Sequence, residues 1–391
     1  MTEHITALVN GTIYTPSRVI PIGILLIEGT RVSAVGTSDE ITVPIGARKI
    51  DVYENLICPG FIDIHVHGGG GSDTMDATYE ALNQITQTQV RFGTTALCPA
   101  TMAAKDSDIC RTLSAVAVAV ERGTEGARVL GAHIEGPFIN PKKHGAQVEE
   151  LIARPSIEQL QSFITAAQNK ISVLTIAPEM PNALDVIRYA RSKRIVCSLG
   201  HTNATYVQTR AGLDAGATNI THIYNAMTPF THREPGVVGA ALTLDNVFTE
   251  VIADGNHVHP AAIQLVVQSK GASHVLLVTD GMRPIGVDRM TSFTLSGMTV
   301  YVRDGACYTA KGVLCGSLLT MNMAVKNMNS LVGIPLHQAI NMASLIPAQV
   351  LGIDTYKGSL EVGKDADVVI CDHNMSIKNV FVEGQLVYQN R

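Results

Sequence analysis

No two of the seven cysteines, Cys58, Cys98, Cys110, Cys197, Cys307, Cys315 and Cys371, form a Cys-x-x-Cys pair, and their number is odd. That spacing argues against a zinc finger or a dithiol redox motif and points to buried free thiols in a reducing cytosol. No run approaches the roughly 20 apolar residues that cross a bilayer. The opening Met1-Thr2-Glu3-His4 has no basic flank leading into an apolar core, so the chain reads as cytoplasmic and without a membrane partner. Positive charge is also short: 29 Lys and Arg against 34 Asp and Glu leave a net charge of −5, with a pI near 6.2. Such a chain has no general attraction for nucleic acid, so any anionic ligand needs a local pocket. Low-complexity segments and solenoid-scale repeats are missing as well.

What the chain does have is material for a core, since 391 residues with 46% hydrophobic and 16% charged allow one large domain and a smaller one. Both ends read as short hairpins. Ile24-Leu25-Leu26-Ile27 and Arg31 to Val35 flank Glu28-Gly29-Thr30, while Val380-Phe381-Val382 and Leu386-Val387-Tyr388 flank Glu383-Gly384-Gln385. Neither end makes a core alone, so residues 1–56 and 352–391 are expected to pair in one small β-sandwich.

Between them, short apolar runs alternate with helical patterns. The runs are Ile57 to Ile64, Thr94 to Cys98, Val129 to Ile134, Ser172 to Ala177, Ile195 to Leu199, Asn219 to Thr221, Val247 to Ala253 and His274 to Thr279. Helical intervals such as Asp106 to Glu121, Ile157 to Gln168, Asn182 to Ser192, Ala204 to Asp214 and Pro260 to Ser269 separate most of them. This rhythm predicts an α/β fold, a TIM-like (β/α)8 barrel over residues 57–351. Residues 292–320 read as an extra β-insertion, and helical patterns resume at Thr320 to Leu331 and Leu336 to Leu351.

Residues of metal-ligand type end five of these runs: His65 and His67, then Glu135, His201, His222 and Asp280. Residues two apart in a strand share a face, so His65 and His67 can both point to the barrel axis while Val66 packs outward. Only a closed ring brings so many strand ends to one centre; a doubly wound open sheet spreads them along a line. Imidazoles and carboxylates without a thiolate cluster suit a catalytic divalent ion, zinc foremost, with iron, cobalt or manganese as alternatives. Asp280 is the expected general base, a carboxylate placed to take a proton from activated water and return it later. Histidines such as His4, His274, His337 and His373 lack this placement and read as ordinary surface or structural residues.

The chain resembles the amidohydrolase superfamily along nearly its whole length, and within it the deacetylases of phosphorylated amino sugars. The stretches that carry the likeness are Pro59-Gly60-Phe61-Ile62-Asp63 before the histidine pair, His133-Ile134-Glu135-Gly136-Pro137-Phe138, Gly200-His201-Thr202-Asn203-Ala204 and Thr221-His222-Ile223-Tyr224-Asn225-Ala226-Met227. Val278-Thr279-Asp280-Gly281-Met282 and Gly363-Lys364-Asp365-Ala366-Asp367 fit as well. The resemblance implies that Glu135, His201 and His222 bind a principal metal and that His65 and His67 complete a second site, with one or two ions per subunit. No lysine ends a strand where some relatives carry a carbamylated bridge, so Glu135 takes that place. It further implies phosphate binding by backbone N–H groups at Asn225 and Ala226 together with Arg233 and His257. Some of these donors act across a dimer interface in the family, so a homodimer is expected. Many members carry a histidine where this chain has Gln147; Gln147 or His144 is expected to take its role toward the substrate. A rival reading is an amidohydrolase for a non-phosphorylated N-acetyl compound or a cyclic amide. A non-enzymatic scaffold would have eroded ligands, and none is eroded here.

Overall fold

The structure, a computed structural model, describes residues 5–390; His4 and the Met1-Thr2-Glu3 stretch lie outside the described residues. Its barrel strands run Phe61–Val66, Thr94–Pro99, Ala132–Glu135, Ile171–Ile176, Val196–Leu199, Asn219–Ile220, Phe248–Val251 and Val275–Leu277. Neighbours pair in parallel, and Arg128–Val129, split from the third strand at Leu130-Gly131, pairs with the second. The ring closes where Val66 bridges Gly281 and the Asp280 N–H donates to His65 O at 2.9 Å. Deeper in the barrel, Thr279 Oγ1 donates to the buried Asp63 Oδ2 at 2.5 Å and clasps the last strand to the first.

The helices around the ring follow their apolar spacing. In Asp106–Arg122 the buried residues Ile109, Leu113, Val116 and Ala117 form one stripe against the strands. Tyr206–Asp214 starts after Thr205 rather than at Ala204, because Thr205 and Gln208 cap each other's backbone. The stretch expected as one helix from Leu336 to Leu351 is two, Leu336–Ala343 and Leu345–Leu351. Pro347 has no N–H for the carbonyl four residues back, and the chain turns at Ser344. Among the described residues no helix is long and apolar enough to cross a membrane.

Both chain ends build one eight-stranded sheet, with Ile5–Tyr14, Val19–Glu28, Arg31–Gly36, Arg48–Asp51 and Leu56–Pro59 joined by Val368–Cys371, Ile377–Val382 and Gln385–Gln389. The sandwich is thus a single sheet curled around its own core of Leu8, Ile13, Leu25, Ile57, Val368, Ile370 and Phe381. The Ala366 N–H donates to Thr30 O, and the Gly384 N–H to Ala366 O, which holds the two ends of the curl together.

The run Ile57 to Ile64, expected as one barrel strand, is divided at Gly60. Leu56–Pro59 belongs to the terminal sheet, antiparallel to Val368–Cys371, and Phe61–Val66 belongs to the barrel. The backbone changes partners there, the Gly60 N–H donating to Asp367 O on the terminal sheet and the Phe61 N–H to Gly93 O on the barrel side, and the position has room only for glycine, since a Cβ would lie 2.1 Å from Thr95 Oγ1. A side chain there would push the first barrel strand off the second.

The insertion folds as a three-stranded antiparallel sheet, Ser292–Leu295, Met298–Arg303 and Ala306–Thr309. Phe293, Leu295, Val300, Cys307 and Cys315 pack with Met102 and Met282 of the barrel rim. This small core seats the following Val313 to Gly316 segment over the barrel mouth.

Gly60→Ala should lower stability by about 1–3 kcal/mol, the range for overpacking a filled interior. Thermal melting of the purified variant checks it; an unchanged midpoint would show that Thr95 yields without cost.

Candidate metal centre

The six ligand-type residues meet at the C-terminal mouth of the barrel. Glu135 Oε1 lies 3.1 Å from His222 Nε2, 3.2 Å from His201 Nε2 and 3.3 Å from His65 Nε2. Its Oε2 lies 3.3 Å from His67 Nε2, which is itself 3.1 Å from Asp280 Oδ1. Two buried groups that could each hold a cation result: Glu135, His201 and His222, and beside them His65, His67 and Asp280.

Donors around a tetrahedral ion at about 2.0–2.1 Å stand roughly 3.3 Å apart. The His201 and His222 Nε2 atoms are 3.2 Å apart, and the contacts of Glu135 Oε1 fall in the same range. His65 Nε2 is buried with no hydrogen-bond partner among the described residues. A lone pair withdrawn from water in that way is costly unless something accepts it, and a cation does. The donor set and the unpaired nitrogen fit a divalent metal.

Charge tells the same story. Burial opposes ionisation of Glu135, yet the surrounding His65, His201 and His222 hold its carboxyl well below the usual range. Burial likewise opposes charge on Asp280, and His67 and His65 hold it down. Burial works against a proton on His67, but Asp280 and Glu135 pull its pKa up to about 9. Two carboxylates in one pit demand positive charge, and a divalent ion supplies it more compactly than protons.

The backbone is bent to present these groups. His201, His222 and Asp280 have φ of 45°, 27° and 49°, left-handed values that cost non-glycine residues of order 1–3 kcal/mol each. Each sits just past its strand, where the left-handed turn swings the side chain over the mouth. His201 Nδ1 donates to Lys143 O at 2.9 Å, leaving Nε2 free as a ligand. Gly136, at φ 79°, lets the following loop fold back closely, since a Cβ there would stand 2.7 Å from Gln147 Oε1. Gln147 is buried; its Nε2 donates to Glu135 Oε2 at 3.1 Å and its Oε1 accepts from the Ala103 N–H at 2.7 Å.

Above the ligands opens a cavity of about 340 Å³, walled by His67, Glu135, Gln147, His201, His222, Asn225, Ala226, His257 and Asp280. Two expected substrate contacts are not on that wall. His144 turns its Nδ1 to Gln147 O at 2.8 Å, within the loop itself. Arg233 lies on an exposed loop outside the cavity. Three groups went unrecognised in sequence. Lys142 and Lys143 line the cavity, and their basic pair right after Pro141 was the available signal. Val313 to Gly316 close one side, which no motif announces. Glu250 lies fully buried beside His65 and His222, an acidic residue inside the apolar run Val247 to Ala253.

Residues 56–387 match the amidohydrolase family, and the chain belongs to it. Its relatives narrow the class. N-acetylgalactosamine-6-phosphate deacetylase of Escherichia coli O157:H7 is 40% identical over 88% of this chain and 90% of its own length. N-acetylglucosamine-6-phosphate deacetylase of Bacillus subtilis (strain 168) is 36% identical over 96% of this chain and 95% of its own. The crystal structure of N-acetylglucosamine-6-phosphate deacetylase from Pasteurella multocida covers 99% of this chain and 100% of its own at a TM-score of 0.93 and 34% identity. A variant of the Mycobacterium smegmatis enzyme in complex with N-acetyl-D-glucosamine-6-phosphate superposes at a TM-score of 0.92 with 31% identity, covering 99% of this chain and 100% of its own.

Glu135→Gln removes the anion that faces both groups. Elemental analysis after gel filtration should find only trace metal per subunit, with the circular dichroism of the chain unchanged; full metal content would contradict the geometry.

Proposed function

We propose that this chain is a divalent-metal-dependent hydrolase that removes the acetyl group of N-acetylglucosamine 6-phosphate, giving glucosamine 6-phosphate and acetate in amino-sugar breakdown. The observation that carries this reading is Glu135, a member of one triad with its oxygens also against His65 and His67 of the other, in a cavity that Ala226 and His257 also line. Glu135, His201 and His222 would hold one ion, and His65, His67 and Asp280 a second. An ion there, zinc by its nitrogen and carboxylate donors with iron, cobalt or manganese as alternatives, supplies Lewis acidity toward water and the amide carbonyl.

The chain's own residues do the rest. The Asp280 carboxylate accepts a proton from the attacking water as its oxygen bonds to the acetyl carbon. It then hands that proton to the amine nitrogen as the carbon–nitrogen bond breaks, releasing acetate. Gln147 steadies Glu135 from the cavity side, and the Val313 to Gly316 segment shields the floor from bulk water.

The phosphate is held at the other end. The Asn225 N–H is already donated to His222 O at 3.0 Å, so Ala226 is the loop's backbone donor toward the substrate. Burial opposes a charge on His257, but Asp254 Oδ2 at 2.7 Å from its Nδ1 raises its pKa above the usual 6.5. The imidazolium then faces an anion, the strongest kind of hydrogen bond available here. Arg233 stands outside its own cavity, so its part in phosphate binding requires a second copy, and a homodimer belongs to the proposal. The seven free cysteines support a cytoplasmic setting.

Acetate release from N-acetylglucosamine, its 6-phosphate and N-acetylgalactosamine 6-phosphate, with metal measured on the same sample, tests the substrate. Loss of the phosphate should reduce kcat/KM by roughly 100-fold or more, the worth of one to two charge-assisted hydrogen bonds. Equal turnover with and without phosphate would favour the non-phosphorylated rival.

Asp280→Asn should keep metal at the Glu135 triad and lower kcat by about 100- to 10,000-fold. Full activity in that variant refutes the proton-transfer role.

The raised pKa keeps His257 protonated in the folded chain until the pH reaches that raised value, so its contribution to phosphate binding fades as pH rises through it. KM for the phosphorylated sugar should therefore climb on the alkaline side, and His257→Gln should flatten that climb.

A further inference from the structure

We infer that Glu250 is a positioning residue for the metal centre: it fixes the imidazole of His65 and so governs whether the His65, His67 and Asp280 triad holds its ion. The inference rests on the metal-binding part of the function proposed above and is independent of the sugar.

Glu250 lies fully buried in the seventh barrel strand. Its Oε2 stands 3.3 Å from His65 Nδ1 and accepts the His222 N–H at 3.3 Å, so one oxygen touches one residue of each triad. A carboxylate can only accept, which places the proton on His65 Nδ1 and the lone pair on Nε2. That Nε2 is the buried nitrogen without a hydrogen-bond partner. Its triad neighbour His67 has no such support, since its Nδ1 is unpartnered among the described residues. Of the two imidazoles in this triad, His65 alone has a side-chain partner on its Nδ1 among the described residues.

Glu250 is itself held. Its Oε1 accepts from Ser198 Oγ at 3.4 Å, Ser198 Oγ accepts from Thr221 Oγ1 at 2.6 Å, and Thr221 Oγ1 is 3.0 Å from Thr175 Oγ1. His133 ends the chain with Nε2 at 2.8 Å from Thr175 Oγ1, and its ring packs 4.3 Å from that of His65. Ser198 thus meets the carboxylate, Thr221 and Thr175 back it in one buried hydroxyl chain, and His133 fills the space beside the ring that Glu250 orients.

The test titrates metal-free enzyme with Co²⁺, reading bound equivalents and the visible absorption of the ion, for the parent chain, Glu250→Gln and Glu250→Leu. The parent should bind two equivalents. In Glu250→Leu one of the two should weaken by about 10- to 100-fold, with loss of its absorption component. Glu250→Gln should retain most of it, because the amide oxygen still accepts from His65 Nδ1. Melting in chelator should be no lower for Glu250→Gln than for the parent. Two unaltered sites in Glu250→Leu overturn the inference. Equal weakening of both sites in both variants, with lowered melting in chelator, also overturns it, since that pattern marks a purely structural role. A parent that binds no more than one Co²⁺ instead overturns the two-triad reading beneath it, so the two failures are told apart.

Discussion

The Glu135 carboxylate is the constraint around which the molecule is arranged. An anion taken out of water costs several kcal/mol even after relaxation, and four imidazole nitrogens lie within 3.3 Å of its oxygens. Those nitrogens come from the first, fifth and sixth strands, so the carboxylate is stabilised only if the ring is closed and in register. The costs are local as well. Left-handed backbone at His201, His222 and Asp280 is unfavourable by itself, and it persists because each turn is held by a hydrogen bond that it donates, His201 Nδ1 to Lys143 O, the His222 N–H to Glu250 and the Asp280 N–H to His65 O.

Rigidity for this arrangement comes from groups below and beside the mouth. Asp63 and Thr279 tie the closing strands together, Gly60 lets the second strand press against the start of the first, and Gln147 anchors the loop after Glu135 to the second strand's end. The cavity walls have a different origin. Lys142, Lys143 and the Val313 to Gly316 segment come from connections, and those connections set what can enter. Ligands on strand ends and cavity walls on loops are the usual division of labour in barrels of this kind.

Much of this was legible beforehand because the informative residues are rare and well placed. His65, His67, Glu135, His201, His222 and Asp280 each interrupt an apolar run at its end, and the barrel rhythm says where those ends go. Glu250 was not legible for the opposite reason: it lies inside a strand, where a glutamate reads as an outward polar position. Gly60 was hidden by the apolar run around it, since pattern alone does not separate one strand from two. Arg233 and His144 carry the right chemistry for an anion or a carbonyl, but residue type gives no direction for a loop side chain. The cavity wall from 313 to 316 depends on a tertiary seat against Met102 and Met282 that no local spacing encodes.

The division at Gly60 also bears on how the chain is made. Pro59 pairs with Val368, and Cys58 with Val369, so the strand running straight into the histidine pair acquires its antiparallel neighbour only after nearly all the chain has left the ribosome. Until then Leu56–Pro59 is fastened on one edge, by Thr12 and Ile13, and its other edge is an open template. Synthesis therefore leaves the edge of the strand that leads into the histidine pair unpaired until the C-terminal strands emerge.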